Sequence, residues 1–364
     1  MKSCPKCLGR LENYRYACNA PGCAKVGIPA CQGQEFDQQN KTAQTYACSE
    51  CGQPMAMRIC PDCGFELEAD EMRRGFLSIS IIGSEGSGKS NFLAVLIDQL
   101  RSEMCKVYGC TLYPTGGDRT MNHYERHYRR PLFEHGVCVT STQQEDINPL
   151  TYTLLFSSKE KAAGQTVGLA FYDSCGKMLE TGPEMAAHNK SLYSSGGIVF
   201  LIDPSQLPAI RESRKASNMP VLNSDAQALL LRAVHLIRNG LSIEGANTKI
   251  NIPIAVCLTK LDTLYPHLDS ASFIGDASRH LRRPMLNASD ISSCNLEMMA
   301  LLESWGGGEL VRHVSSHFSD YCFFGISALG SAPGTQNEIN RVSPHRALDP
   351  LLWLLSRHKI LKTG

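Results

Sequence analysis

Apolar and polar positions repeat along most of this chain with the periods of strands and helices in turn. Short apolar runs rich in β-branched and aromatic residues predict strands at 76–82, 149–156, 167–172, 198–202, 252–258 and 321–326. Apolar residues at helical spacing predict helices from Asn91 to about Met104 and from Asp225 to Arg238. Apolar strands that alternate with helices predict an α/β fold, with a mostly parallel sheet covered by helices on both faces.

The N-terminal segment has a different pattern, because it is poor in apolar residues and dense in cysteine. Nine of the 16 cysteines lie within the first 63 residues. No apolar stretch typical of a secretory signal follows the start of the chain, so we expect a reducing, cytoplasmic location and metal ligation instead of disulfides. We predict two domains: a zinc-ribbon module over 1–70 and the α/β domain over 75–364, whose terminal helix near Leu351–Leu355 docks on the sheet.

Four closely spaced cysteine pairs predict two structural zinc sites. Each pair forms a tight knuckle, and four thiolates complete a tetrahedron that leaves no open position for catalysis. Reading the pairs in chain order assigns one site to Cys4, Cys7, Cys18 and Cys23 and the other to Cys48, Cys51, Cys60 and Cys63. Cys31 is left over, and we interpret the seven scattered cysteines beyond residue 63 as small buried apolar residues.

Charge and hydropathy narrow the classes of partner. The 364 residues carry a formal net charge of +1, and residues 1–70 contain seven Lys/Arg against eight Asp/Glu. This balance provides no basic stripe for a nucleic-acid backbone. No apolar run reaches the roughly 18 residues that a membrane span requires. We therefore expect protein partners.

The strand at 76–82 leads directly into Gly83-Ser-Glu-Gly-Ser-Gly-Lys-Ser90, and a helix follows. This is the G-x-x-x-x-G-K-S phosphate loop in the strand–loop–helix context that it requires. Lys89 reaches the β- and γ-phosphates, and the Ser90 hydroxyl ligates Mg²⁺. Glu85 must point away from the phosphates or pair with a cation, because like charges repel. The residues expected to contact nucleotide are Gly83, Gly86, Ser87, Gly88, Lys89, Ser90 and Asn91.

Polar motifs follow three later strands, at the carboxyl ends where ligands bind in such sheets. In Asp173-Ser-Cys-Gly176, the aspartate can hold Mg²⁺ through water and the glycine amide can sense the γ-phosphate. In Thr259-Lys260-Leu-Asp262, the carboxylate can accept hydrogen bonds from guanine N1 and N2 while the lysine stem lies along the base. A backbone amide of Ser327-Ala328-Leu329 can face guanine O6. Together, the motifs predict GTP or GDP with Mg²⁺.

Several other segments carry weaker signals. The magnesium-binding threonine of the first switch is either Thr140 or Thr142, and we favour Thr140. We expect a mobile loop over 204–223 and a helix break at Trp305–Gly308. His123 and His127 resemble a metalloprotease pair, but the glutamate between them is misplaced for H-E-x-x-H, which favours an ordinary helix.

The order GSEGSGKS, DSCG, TKLD and SAL resembles the translation-factor-class (Ras-like) GTPases. With its cysteine-rich N-terminus, the chain resembles more narrowly the bacterial double-GTPase group. The phrase FLIDP at 200–204 and the segment 343–355 are similar to that group as well. The resemblance implies regulation of partner proteins and an association with bacterial conflict or antiviral systems. It is also compatible with a homodimer formed across the nucleotide.

The leading hypothesis is therefore a guanine-nucleotide switch with slow Mg²⁺-dependent GTP hydrolysis, in which Lys89, Thr140, Asp173 and Gly176 act on the γ-phosphate. Lys177 stands where many signalling GTPases have the glutamine that orients the attacking water, so we expect slow turnover in isolation. Two alternatives stay open. One is a P-loop ATPase or phosphotransferase, against which Asp262 argues, and the other is a non-hydrolysing scaffold stabilised by nucleotide and zinc.

Overall fold

A computed structural model of the chain describes two regions, an N-terminal cysteine segment and a larger sheet domain. The described residues are 4–9, 15–18, 20, 23, 26–27, 46–48, 50–55, 57–67, 76–115, 118–139, 149–157, 165–173, 186–217 and 224–364. None of the described helices is both long and apolar enough to cross a membrane.

The cysteine segment contains very short antiparallel strands. They are β1 (Arg15–Ala17), β2 (Val26–Gly27), β3 (Tyr46–Ala47), β4 (Pro54–Met55), β5 (Met57–Ile59) and β6 (Glu66–Leu67). Strand β5 lies between β1 and β6, β2 lies on the other side of β1, and β3 pairs with β4. In the central pair, Arg15 lies opposite Ile59 and Ala17 opposite Met57. Distant parts of the segment are thereby brought together.

The sheet domain is built on seven strands in the described part of the chain. They are β7 (Phe76–Gly83), β8 (Cys110–Pro114), β9 (Leu150–Phe156), β10 (Thr166–Asp173), β11 (Gly197–Ile202), β12 (Ile254–Leu258) and β13 (Tyr321–Gly325). Their order across the sheet is β13-β12-β11-β7-β10-β9-β8. Strand β9 runs antiparallel to both of its neighbours, and the other pairs are parallel. The prediction of a mostly parallel sheet is confirmed.

Helices cover both faces of this sheet. They are α1 (Lys89–Gln99), α2 (Cys105–Tyr108), α3 (Asp118–Tyr124), α4 (Ala186–Tyr193), α5 (Pro208–Ala216), α6 (Ala226–Gly240), α7 (Ala288–Leu302), α8 (Gly308–His317) and α9 (Asp349–Arg357). Wider π-helical turns continue α1 over Leu100–Met104, α3 over Glu125–Glu134 and α7 over Glu303–Gly307. Single 3₁₀ segments cover Pro204–Gln206 and Leu261–His267. We refer to α3 with its continuation as the 118–134 helix.

Alternation along the central strands divides the core into two apolar layers. In β11, Val199 and Leu201 join the layer under α1 and α9, whereas Ile198, Phe200 and Ile202 join the layer under α6, α7 and α8. Successive side chains of a strand point to opposite faces, so strands buried on both faces must be apolar throughout. This requirement explains why these strands read as continuous apolar runs.

The element predictions hold for the long apolar runs and fail in two connections. Strand β8 carries no strong sequence signal and was missed. The expected mobile loop at 204–223 is wrong for its described part, because Pro204–Gln206 form a 3₁₀ turn and α5 packs Ile210 into the core. The helix break at Trp305–Gly308 is confirmed, since Gly306 has a φ of +85° between α7 and α8.

The cysteine segment contacts the sheet domain at β10. Leu8 packs with Ala170 and Tyr172, and the Tyr172 hydroxyl donates a hydrogen bond to the carbonyl of Pro5. A second contact joins Arg119 to Glu66 at 3.5 Å and places the guanidinium 5.9 Å from the centre of the Phe65 ring. The first knuckle therefore lies against the strand that ends in Asp173.

Candidate functional site

The phosphate loop connects β7 to α1 and depends on glycine for its shape. Gly86 and Gly88 have φ values of +79° and +89°, which side chains with a Cβ rarely adopt. A Cβ on Gly83 would lie 2.7 Å from the carbonyl oxygen of Leu201 in β11. The loop thus combines left-handed turns with a close approach to the neighbouring strand.

Lys89 lies under this loop with only 8% of its surface exposed. Its ammonium donates to the carbonyl of Gly83 at 3.0 Å and to that of Ser84 at 2.7 Å. The positive charge is thereby fixed beside the loop that would hold phosphate. The side chain of Glu85 is exposed.

The phosphate loop and the Asp173 motif meet at the N-terminus of α1. The Ser90 hydroxyl donates to Asp173 Oδ2 at 2.9 Å, which joins the phosphate loop to the carboxyl end of β10. A hydroxyl and a carboxylate are the hard oxygen ligands that Mg²⁺ prefers, so these residues fit the metal that the sequence predicts. A third group, the Tyr128 hydroxyl, lies 3.4 Å from the same Oδ2 atom. No sequence motif predicts this contact between the 118–134 helix and β10.

The first switch is described only up to Val139. The Val139 amide donates to Asn91 Oδ1 at 2.9 Å, and the Cys138 amide donates to the carbonyl of Asn337 at 2.9 Å. The chain is therefore anchored beside the phosphate-loop helix immediately before Thr140. Thr140, Thr142, Gly176 and Lys177 lie outside the described residues.

The base-recognition motifs meet at the ends of β12 and β13. Ser327 Oγ donates to Asp262 Oδ1 at 2.5 Å and accepts a hydrogen bond from the Gly330 amide at 2.9 Å. The Ser327 amide already donates to the carbonyl of His345 at 3.0 Å. The Ser327 amide is thus already engaged within the protein, and Ala328 and Leu329 are the next residues of the predicted motif.

Lys260 connects this region to the phosphate loop. Its backbone is left-handed with a φ of +52°, and its ammonium donates to the Gly86 carbonyl at 3.0 Å. The preceding residue, Thr259, donates from its hydroxyl to the carbonyl of Ile202 at 3.0 Å. The motif predicted to hold the base is thus tied to both β11 and the loop predicted to hold phosphate.

Asp203 is a site residue that the sequence reasoning left out of the nucleotide set. It is 1% exposed, and its Oδ2 lies 2.5 Å from the Lys260 ammonium. Burial opposes ionisation of this carboxyl, but the Lys260 charge and hydrogen bonds from Ser205 hold its pKa below the ordinary value. Its position at the end of an apolar strand, in FLIDP, was the available signal.

The eight predicted cysteine ligands do form two groups of four, but the pairing by chain order is wrong. One group contains Cys4, Cys7, Cys60 and Cys63, and the other contains Cys18, Cys23, Cys48 and Cys51. The β1–β5 register causes this interleaving, because antiparallel pairing places the start of β1 beside the end of β5. Cys31 lies outside the described residues.

The sulfur geometry fits tetrahedral zinc in both groups. Neighbouring Sγ atoms are 3.7 Å apart for Cys4–Cys63, 3.6 Å for Cys7–Cys60, 3.4 Å for Cys18–Cys51 and 3.7 Å for Cys23–Cys48. A tetrahedron with Zn–S bonds of about 2.3 Å has edges of about 3.8 Å. Backbone amides donate to the sulfurs of Cys4, Cys7, Cys18 and Cys48. The amides of Cys51 and Glu50 lower the pKa of the Cys48 thiol to about 7.

Two other clusters do not favour a metal. Among the described residues, the His123 and His127 rings, 4.7 Å apart, gain no third ligand. His280, Asp290 and Asp349 do form a buried group, but the Arg346 guanidinium donates to both carboxylates, at 3.0 and 2.8 Å. A cation would be repelled there, so this cluster is an ion-pair network.

Of the scattered cysteines, Cys110, Cys257, Cys294 and Cys322 are buried, as predicted. Cys105 and Cys138 are only half-buried, so the same prediction is too strong for them. Cys175 lies outside the described residues.

Comparisons with known proteins place these features in a family. A relative from Mycolicibacterium smegmatis, named as the ESX-1 scaffolding and assembly protein SaeC, is 23% identical over 99% of this chain and 100% of its own length. Similar solved structures include the signal recognition particle receptor SRb-GTP/SRX complex of Chaetomium thermophilum, with 14% identity, a TM-score of 0.29, and coverage of 72% of this chain and 94% of that one.

The GTP-bound GTPase-like domain of Ski7 from S. cerevisiae is also similar, with 15% identity, a TM-score of 0.35, and coverage of 82% of this chain and 54% of that one. The family model described as Double-GTPase 2 matches residues 77–312. This match contains the phosphate loop, Asp173 and the Thr259–Asp262 motif. The chain therefore belongs to the Double-GTPase 2 family and is a GTP-binding protein.

Proposed function

We propose that this protein is a GTP-dependent switch, a slow Mg²⁺-dependent GTPase whose nucleotide state controls the binding of partner proteins. The observation that carries the proposal is the Asp262–Ser327 pair beside Lys260, which itself bonds to the phosphate loop. A carboxylate at one end and the phosphate loop at the other would suit the base and the phosphates of a single guanine nucleotide, which supports the proposal. Binding of a guanine nucleotide is its direct consequence.

Asp262 selects guanine by charge and hydrogen-bond pattern. Its carboxylate would accept hydrogen bonds from the N1 and N2 donors of guanine, and adenine lacks this pair of donors. The Ser327 hydroxyl restricts rotation of the carboxylate before ligand arrives. An amide of the Ser327–Leu329 turn then donates to O6, which adenine also lacks.

Ser90, Asp173 and Thr140 would hold the magnesium ion. The ion neutralises charge on the β- and γ-phosphates when it is bound. The chain's own residues position it: Ser90 and Asp173 are already joined by a hydrogen bond, and the backbone before Thr140 is anchored on Asn91. The amide of Gly176 would detect the γ-phosphate, and GTP would order the segments around Thr140 and Asp173–Gly176.

The cysteine module would use two structural zinc ions and present a surface for partners. Its contact with β10 places it next to the strand that leads into D-x-x-G. The relative named for scaffolding and assembly supports a role in protein interactions. The double-GTPase resemblance adds bacterial conflict or antiviral systems as the proposed setting. A second copy of the chain is one candidate partner.

The test of base selection is Asp262→Asn. The carboxamide reverses part of the hydrogen-bond pattern, so we expect GTP affinity to fall about 100-fold and xanthosine triphosphate to be preferred. Binding is measured with both nucleotides by isothermal calorimetry. Asp269→Asn, which changes an exposed carboxylate seven residues further on, is the matched control and should bind GTP normally. Unchanged GTP affinity in Asp262→Asn would refute guanine selection by this motif.

Turnover separates a switch from a self-sufficient enzyme or an inert scaffold. We expect the isolated chain to release phosphate at or below about 10⁻³ s⁻¹, because no glutamine follows Gly176. Multiple-turnover phosphate release measures this rate. A rate near 1 s⁻¹ without added protein would contradict the slow switch, and complete absence of turnover with every partner tested would favour the scaffold.

A further inference from the structure

We infer that Tyr128 is a positioning residue for the magnesium-binding carboxylate of Asp173. The 118–134 helix brings this tyrosine to the phosphate site, where it is 3% exposed. Its hydroxyl lies 3.4 Å from Asp173 Oδ2, the same atom that accepts the Ser90 hydroxyl at 2.9 Å. The inference rests on the proposed function, because it concerns the residue that would hold Mg²⁺ beside GTP.

The Tyr128 ring is held by a continuous row of aromatic side chains. It stacks on Tyr124 at 6.2 Å between ring centres, Tyr124 meets Tyr152 edge-on at 6.5 Å, and Tyr152 meets Phe171 at 6.4 Å. Phe171 lies in β10, two residues before Asp173. The row of aromatic contacts therefore connects the ring of Tyr128 to the strand that ends in Asp173. Aromatic pairs of this kind stabilise the relative position of the two elements.

Tyr124 shows that the hydroxyls of this helix have separate partners. Its hydroxyl donates to the Ala94 carbonyl of α1 at 2.9 Å, so it fixes the helix to the phosphate-loop helix. Tyr128, one turn later, instead reaches across to the carboxylate. The two residues thus provide a natural pair of the same chemistry, one that anchors the helix and one that touches Asp173.

The Tyr128 hydroxyl provides a second hydrogen-bond donor, beside Ser90, to one carboxylate oxygen of Asp173. A serine hydroxyl whose oxygen ligates a cation still donates its proton, so Ser90 can keep its bond to Asp173. The Tyr128 donor then limits rotation of the carboxylate. A separation of 3.4 Å is long for such a bond, and contacts of this type commonly shorten when the site fills with ligand.

The experiment measures how magnesium controls nucleotide release. Protein loaded with fluorescent N-methylanthraniloyl-GDP is titrated with free Mg²⁺, and the release rate is followed from EDTA to saturating metal. Tyr128→Phe keeps the ring stack and removes the hydroxyl. We expect its half-effective Mg²⁺ concentration to rise about tenfold, as for loss of one hydrogen bond to a charged group, with release in EDTA unchanged.

Tyr124→Phe is the matched control, because it removes a buried hydroxyl from the same helix without touching Asp173. It should lower the melting temperature and leave the half-effective Mg²⁺ concentration unchanged. As a second measurement that preserves the hydroxyl, 3-fluorotyrosine at position 128 should shift its ¹⁹F resonance when Mg²⁺ is added to the GDP-bound protein, and the label at position 124 should not.

The possible failures are distinguishable. A wild-type protein whose nucleotide release ignores Mg²⁺ would overturn the magnesium site of the proposed function and this inference with it. A wild-type protein that responds, with Tyr128→Phe responding at the same concentration, would overturn the inference alone. An equal shift in Tyr124→Phe would assign the effect to packing of the helix, and would also overturn it.

Discussion

The cysteine segment and the sheet domain achieve order by opposite means. In the cysteine segment, the strands are two or three residues long. Its two buried clusters consist mainly of cysteines, and the one around Cys4 and Cys60 also contains Phe65 and Leu67. In the sheet domain, strands of five to eight residues lie between two extensive apolar layers. Two-residue strands bury too little surface to be stable alone, so we expect metal bound by the sulfurs to stabilise this segment.

The two regions should therefore respond differently to loss of metal and to changes in the phosphate loop. Removal of metal should disorder the cysteine segment and leave the sheet, because apolar burial requires no ligand. Changes in the phosphate loop should alter nucleotide affinity and leave the zinc content of the cysteine sites unchanged. The contact of Pro5 and Leu8 with Tyr172 is the place where this independence should be weakest.

The largest effect expected is loss of zinc, which contributes about 10–16 kcal/mol in small zinc domains. The wild type should carry about two zinc ions per chain. With the interleaved ligand groups, Cys7→Ser with Cys60→Ser should leave about one ion, whereas Cys7→Ser with Cys18→Ser should leave almost none. Plasma mass spectrometry after dialysis counts the metal.

Pairing by chain order requires the reverse result for these two double variants, so the measurement decides between the assignments. Both variants should retain cooperative unfolding of the sheet domain by circular dichroism. Loss of that transition would show that folding of the sheet domain depends on metal, and would contradict the independence of the two regions.

Lys89→Ala should have the next largest effect. Loss of the buried ammonium removes charge-assisted contacts to the β- and γ-phosphates, so we expect GTP affinity to fall at least about 100-fold. Zinc content should stay at the wild-type value, because the Gly83 and Ser84 carbonyls that Lys89 contacts belong to the phosphate loop and not to the cysteine segment. Fluorescent-nucleotide titration and metal analysis of the same sample test both statements. Metal loss would show that the two regions are not independent.

Tyr172→Phe should have the smallest effect and tests the contact between the regions. The ring still packs on Leu8, but the hydrogen bond to Pro5 is lost, a change of about 1 kcal/mol. Amide exchange in the 4–9 knuckle, including the Leu8 amide bonded to the Cys4 carbonyl, should be about fivefold faster. Exchange is followed by mass spectrometry.

Tyr108→Phe provides the control for this measurement. It removes a comparable bond, from the Tyr108 hydroxyl to the His280 carbonyl, entirely within the sheet domain. Exchange in the knuckle should then match the wild type. Faster exchange in both variants would point to general loosening of the fold and would remove the special role of the Tyr172 contact.

The sequence alone determined the features that depend on contiguous residues. Apolar runs predicted β11, β12 and β13, and mostly apolar runs predicted β7 and β10, because a strand buried on both faces has few polar positions. The phosphate loop and the Thr259–Asp262 motif could be recognised in the sequence because the residues of each are also contiguous. Each is a short stretch whose glycines, charges and spacing set its own backbone shape and chemistry.

Only the tertiary structure decided which distant groups share a site. All four cysteine knuckles carry similar ligands, so spacing cannot tell which two belong together, and the β1–β5 register makes that choice. Asp203 met Lys260, and Tyr128 met Asp173, through packing of separate elements around the sheet. The physical reason is that local pattern fixes a residue's environment, while its partner depends on the path of the whole chain.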